Sequence, residues 1–292
     1  MAAWQQIYNS RIITPREAAQ KIESGQRIFL TGNCSVPQQV LSAIVDYAPN
    51  LEDVEICQAL TVGPADYVAP EMAGHIRVNT MFISTNIRQA VHEGRADFTP
   101  VLLSEFPLLF KEKVLPVDVA LIHVSPPDEH GFCSFGIEVG LTKSAAGAAK
   151  TIIAEVNQCM PRTLGDSFIH VSKLDYVVPV NYGLPELPMT GSGSSDVTEK
   201  IARYIADLIP DGATMQMGIG AIPDAVLKYL FEKQDLGIHT ELFSDGIIEL
   251  VEAGVLTNAR KTLHQGKIIA GFLLGTRRLY DWVDDNPLIE LH

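Results

Sequence analysis

One feature limits the fold of this chain more than any other. Short strands apolar on both faces recur, each followed by a glycine-bearing turn and then an amphipathic helix. Arg27–Thr31 is such a strand, closed by Gly32-Asn33, and a helix from about Pro37 carries Val40, Leu41, Ile44 and Val45 on one face. A strand with no polar face cannot border water, so it must lie in a parallel sheet with helices on both sides. Val54–Leu60, Val78–Ser84, Val117–Ser125, Thr151–Val156 and Tyr176–Val180 read the same way. Upstream, Thr14-Pro15-Arg16-Glu17 forms a capping box that opens a helix running to about Ser24. The predicted fold class is α/β.

A length of 292 residues suggests about two domains. Leu184–Ser195 holds two prolines and a Gly/Ser tract, the composition of a linker. The predicted domains are therefore 1–187 and 188–292. In the second, Asp196 opens a helix with Ile201, Ile205, Leu208 and Ile209 on its apolar face. Strands follow at Thr214–Met217, Ile238–Phe243, Lys267–Leu274 and Leu288–Leu291, with helices at Pro223–Phe231, Ile247–Ala253 and Leu279–Val283. About 100 residues ending on a strand read as an incomplete α/β domain. The expectation is that Ile268, Phe272, Leu273 and Ile289 lack cover, so that the chain pairs with another chain or turns over negligibly.

Charge and cysteines narrow the setting. The formal net charge of −13 disfavours nucleic acid and anionic membrane as partners. The sequence has neither an 18-residue apolar run nor a signal-peptide pattern at its start. Cys34, Cys57, Cys133 and Cys159 are scattered, as reduced thiols are, which predicts a cytoplasmic protein.

Two stretches carry candidate chemistry. Met215–Val226 has Gly218 and Gly220 after a strand and Pro223 suited to a helix's first position, so backbone N–H groups there can meet a phosphate or carboxylate. Glu241, about 20 residues on, would also suit a dinucleotide fingerprint, but Pro223 replaces the third glycine. A tight turn without ligand is the plain alternative. Glu241 itself interrupts an apolar strand just before Asp245-Gly246; it reads either as a functional carboxylate at the mouth of the sheet or as an edge residue facing water. Asp245-Gly246 reads as a structural turn and Cys34 as a small buried thiol. Asn33 and Ser35 are candidate substrate contacts. His123, His130 and Cys133 could be taken for a metal cluster, but Asp128–Gly131 is more simply a polar turn, and no metal is expected.

Gly218-Ile-Gly-Ala-Ile-Pro-Asp-Ala-Val226 followed by Leu236-Gly-Ile-His-Thr-Glu-Leu-Phe-Ser-Asp-Gly246 resembles the acetyl-CoA hydrolase/transferase family. Within that family the likeness is strongest to the 4-hydroxybutyrate and butyrate–acetate CoA-transferases. Gly271–Asp281, Asp118–Gly131, Gly165-Asp166 and His170–Lys173 fit as well. The resemblance spans the chain, but family members continue past His292. It implies two open α/β domains of CoA-transferase type with the active site between them, the second here incomplete and lacking further CoA-contacting loops. It implies that Glu241 is the catalytic glutamate that becomes linked to CoA, and that Gly218, Ile219, Gly220, Ala221 and Ile222 contact CoA. Gln216 is a candidate oxyanion contact.

The implied function is transfer of CoA between short-chain carboxylic acids through a glutamyl-CoA thioester. Coenzyme A is then a substrate, with no permanently bound cofactor, and the assembly is expected to be a homodimer. The alternatives are an acyl-CoA hydrolase, with water as acceptor, or a non-catalytic CoA-binding chain.

Overall fold

The computed structural model describes residues 3–187 and 195–292. Part of the linker expected at Leu184–Ser195 falls outside them. The chain forms two compact units: Met1–Arg162 with Phe168–Pro185, and Thr163–Ser167 with Glu186–His292.

In the first unit α1 (Ala3–Ser10) and α2 (Pro15–Ala19) precede β1 (Arg27–Leu30); α3 (Gln38–Tyr47) leads to β2 (Val54–Gln58) and β3 (Ile76–Thr80). Then come α4 (Arg88–His92), β4 (Ala96–Phe98), α5 (Phe106–Lys111), β5 (Val119–Val124), β6 (Phe132–Ser134), α6 (Gly140–Ala148) and β7 (Thr151–Asn157). The second unit takes β8 (Leu164–Gly165); β9 (Phe168–His170) and β10 (Tyr176–Val180) return to the first. Seven strands make one parallel sheet in the order β10-β7-β5-β1-β2-β3-β4.

Alternation along β1 shows why this sheet needs cover on both sides. Ile28 and Leu30 pack with Val40, Leu41 and Ile44 of α3, whereas Phe29 joins Phe106, Phe110 and Ala145 of α5 and α6. The Phe29 and Phe110 rings meet edge-to-face, centroids 5.4 Å apart. Each such aliphatic side chain, once buried, contributes about 1.5–3 kcal/mol. The Thr14 capping box forms as the sequence indicates, with Glu17 returning a bond to the Thr14 N–H, but α2 ends at Ala19 rather than near Ser24.

The second unit continues with α7 (Asp196–Leu208), β11 (Thr214–Met215), α8 (Ala221–Leu227), β12 (Gly237–Ile238), β13 (Leu242–Phe243), α9 (Asp245–Glu252), β14 (Ile268–Ala270), β15 (Phe272–Leu273), α10 (Arg277–Val283) and β16 (Ile289–Leu291). Its pairings are all parallel: β11 with β12, β13 with β15, and β14 with β16, which pairs in turn with β8. A bridge between His239 and Ile269 links β12 to β14.

Three expectations are corrected here. Ile268, Phe272, Leu273 and Ile289 do not lack cover; all four are buried, on β14, β15 and β16. The apolar stripe of α7 is displaced: Ala202 and Ala206 are buried, while Ile201 and Ile205 are exposed and Leu208 is 82% exposed. Small residues allow α7 to approach its neighbour closely, so packing selects the alanine face over the larger side chains. The strands expected at Ile238–Phe243 and Lys267–Leu274 are each broken in two, at 239–241 and at Gly271.

Candidate active site

That double break shapes the site. The Glu241 carbonyl accepts two hydrogen bonds, from the N–H groups of Gly271 and Phe272, each 2.9 Å long. One acceptor facing two consecutive donors is a bulge-like step, and it re-aims the side chain at that point. Gly271 permits it, since a Cβ there would sit 3.2 Å from the Glu241 oxygen. The Glu241 side chain is exposed. Its carboxyl still loses part of its hydration, which pushes its pKa above the ordinary glutamate value.

The glycine turn is tied to the same place. β11 and β12 pair in the register Thr214↔Gly237 and Met215↔Ile238, so the residues after each strand emerge side by side at its carboxyl end. Thr240, buried, joins them: its Oγ1 accepts from the Met217 N–H at 2.9 Å and donates to the Met217 carbonyl at 3.2 Å. Gln216, exposed, and the Gly218–Ile222 turn are thereby held beside the Thr240-Glu241 segment. Carboxyl ends of parallel strands are where α/β sheets present functional groups.

The turn has open donors. Gly220 adopts φ 126°, ψ 179°, a region that side chains strain to enter, and α8 begins immediately after it. The N–H groups of Gly218, Ile219, Gly220, Ala221 and Ile222 find no protein acceptor among the described residues, and Ile219 is 57% exposed. Pro223 is the third residue of α8 rather than the first, and the helix ends at Leu227 rather than Phe231. Proline is tolerated there because the first-turn N–H it removes would have had no partner within the helix. Asp245, at the start of α9, accepts from the N–H and hydroxyl of Thr276, which makes it a structural tie.

Asn33 and Ser35 belong to the first unit. They follow β1, whose neighbours β2 and β5 lie on opposite sides of it across the sheet, the switch point of a doubly wound sheet. Asn33 has φ 54° and donates through Nδ2 to Glu138. Its Oδ1 and the Ser35 Oγ are buried without a hydrogen-bond partner among the described residues. The structure thus gathers Glu241, Gln216 and Gly218–Ile222 in one unit and holds Asn33 and Ser35 in the other.

His123, His130 and Cys133 do not form a ligand cluster. His123 is fully buried, its Nδ1 3.2 Å from the Ser35 carbonyl, and burial lowers its pKa to about 3. His130 is exposed beside Glu129, and burial pushes the Cys133 thiol up to about 12. Cys34 is a buried free thiol. Residue-type reasoning missed Thr240 and Gly271, although both lie inside the motifs that carry the family resemblance.

Residues 2–182 match the N-terminal domain of the acetyl-CoA hydrolase/transferase family. The chain is 49% identical over 289 residues to a 4-hydroxybutyrate coenzyme A transferase of Clostridium kluyveri, covering 99% of this chain and 67% of that protein. It is 42% identical to a succinyl-CoA:acetate/propanoyl-CoA:succinate CoA transferase of Fasciola hepatica, covering 92% of this chain and 56% of that one. The crystal structure of 4-hydroxybutyrate CoA-transferase from Porphyromonas gingivalis superposes with a TM-score of 0.88 at 35% identity, over 99% of this chain and 69% of that one. The chain therefore spans between about half and two thirds of the length of these relatives. Matching sequence along almost all of that span, over the same parallel α/β architecture, this chain belongs to the acetyl-CoA hydrolase/transferase family.

Proposed function

We propose that this chain is a CoA-transferase acting between short-chain carboxylic acids, with Glu241 as the nucleophile and the Gly218–Ile222 turn holding part of coenzyme A. The observation that carries the reading is the clamp by Thr240, which keeps an accessible carboxylate beside a run of open backbone donors.

The chemistry follows from the groups. A carboxylate is ionised near neutral pH and attacks an acyl-CoA thioester without a general base. The acyl group passes to Glu241 as a mixed anhydride and CoA leaves as thiolate. The thiolate then attacks the Glu241 carbonyl, giving a glutamyl-CoA thioester and releasing the first acid. An acceptor carboxylate reverses both steps and departs as its CoA ester. Each attack passes through an oxyanion, and donors such as the open turn N–H groups and Gln216 stabilise such charge by a few kcal/mol, about 3 for one good donor. On the first unit, Asn33 and Ser35 are the residues we propose for substrate contact, because they follow β1 at its carboxyl end. The relatives named for 4-hydroxybutyrate and for succinate, acetate and propanoyl-CoA support small acids as the substrate class. The four free thiols suit the reducing cytoplasm. A homodimer completes the reading, and light scattering decides it.

The test is to incubate the protein with butyryl-CoA, reduce with borohydride and map the adduct by mass spectrometry. Modification of Glu241 alone is expected; labelling of another carboxylate, or of none, overturns the assignment. Exposure of Glu241 favours hydrolysis as a second reading, and CoA release independent of added acetate would identify it.

A further inference from the structure

Away from the turn and its glutamate, three metal-ligating side chains converge on one face of the second unit. His264, Glu290 and His292 each present a ligand atom, all within 4.8 Å of one another. Glu290 and His292 stand two apart, so they lie on the same face of the chain at β16. His264 lies on the loop before β14, its ring centroid 5.2 Å from that of His292 and 6.1 Å from that of His239.

We propose that His264, Glu290 and His292 form a binding site for one divalent transition-metal ion of the zinc class, with a water completing a four-coordinate shell. The inference stands independently of the CoA-transferase reading.

The distances suit a shared ion. His292 Nε2 and Glu290 Oε2 share a long hydrogen bond at 3.4 Å. Two ligands bound at about 2.0–2.1 Å in a tetrahedral shell stand roughly 3.3 Å apart. The other carboxylate oxygen, Oε1, faces Lys267 Nζ at 3.4 Å, so Oε2 is the one offered to an ion. Two imidazoles and one carboxylate suit zinc, nickel, cobalt or copper and not calcium or magnesium, which require oxygen ligands.

The scaffold under these groups is already fixed. His264 holds a left-handed φ of 51°, a conformation in which histidine is among the favoured side chains. Its carbonyl accepts from the Lys267 N–H at 3.0 Å, which closes the turn. The loop is anchored at two points. Asn258 Oδ1 accepts from the Ile238 N–H at 2.9 Å, and Lys261 Nζ, 5% exposed as a residue, donates to the carbonyls of Ile238 and Lys267 at 2.7 and 2.6 Å. In parallel register, His239 stands beside Ile269 and Ile269 beside Glu290. An ion here would therefore pin the 258–267 loop to β16.

The test uses tag-free, chelator-treated full chain titrated calorimetrically with zinc chloride, and with cobalt chloride followed by visible absorption. One ion per chain is expected, with intense four-coordinate cobalt bands. His264→Ala, Glu290→Gln and His292→Ala are each expected to weaken zinc binding by about tenfold or more, while His130→Ala, at a separate exposed histidine, leaves it unchanged. All four sites are at least partly exposed, and matching thermal unfolding without metal verifies that the variants fold. Absence of stoichiometric binding to the parent chain, equal affinity in the three ligand variants, or an equal loss in His130→Ala overturns the proposal.

Discussion

At the scale of single residues, two glutamates are set apart by what surrounds them. Glu241 is exposed but partly desolvated, so its pKa lies above the ordinary range and protonation removes the proposed nucleophile sooner as pH falls. The acid limb of kcat/KM should therefore lie above the pH at which a free glutamate titrates, and Glu241→Gln should lower transfer by at least about 10³-fold with unfolding unchanged. A pH–rate profile beside a melting curve measures both. Glu155, fully buried on β7, accepts from the Val40 N–H and from the Tyr182 hydroxyl, each at 2.5 Å, and so caps α3. Burial raises its pKa from 4.5 to about 7. The unfolded chain then loses this proton near pH 4.5 while the folded chain keeps it to about pH 7. Stability from this group is present in full below pH 4.5 and declines across that window, by on the order of 3 kcal/mol. Glu155→Gln should flatten that decline in denaturant midpoints taken from pH 5 to 8. The motif around Glu241 is specific enough to single that residue out as the proposed nucleophile. Glu155 was not legible, since a lone carboxylate in an apolar strand gives no sign of the helix it caps.

At the scale of elements, the alternation of apolar strands and glycine turns foretold the parallel sheet, and β1, β5, β7 and β10 lie where hydrophobic runs put them. The breaks at 239–241 and Gly271 were illegible because an apolar run looks the same whether its ladder is continuous or stepped. Periodicity likewise could not tell which stripe of α7 packs, since alanines and isoleucines recur at the same spacing. The step at Gly271 yields a test. Gly271→Val would put a branched side chain against the Glu241 carbonyl, where even a Cβ stands at 3.2 Å. It should lower kcat by about tenfold or more, with a smaller effect on KM for acyl-CoA, because displacement of the proposed nucleophile matters most in the reacting geometry. In the turn, Gly220→Val should weaken CoA binding. No atom lies within 4 Å of a Cβ there, but φ is +126°, so the loss comes through a distorted turn rather than a clash. Calorimetric titration with CoA measures it.

At the scale of the whole molecule, the second unit is discontinuous. Residues 163–167 leave the first unit to supply β8, the outer neighbour of β16, and Gly165 fits there with φ 94° because a Cβ would lie 2.7 Å from the Leu291 carbonyl. Gly165→Val should cost about 2 kcal/mol or more in the unfolding of the second unit, while the first unit's transition holds, read as two phases in denaturant. The sequence placed a boundary near the proline-rich stretch but gave no hint of this excursion, because two residues of strand carry no periodicity.

The excursion has a consequence for how the protein is made. On a ribosome, Leu164 and Gly165 emerge more than a hundred residues before Glu290 and Leu291, the partners they pair with. Until then this strand edge waits with open amides, and the loop it must close is long, so its pairing is a late event of synthesis. The first unit, whose seven-stranded sheet is complete by Val180, is free to fold while the second is still being translated. A stalled chain released before Glu290 should therefore resist protease across residues 1–162 yet be cut near 163–167.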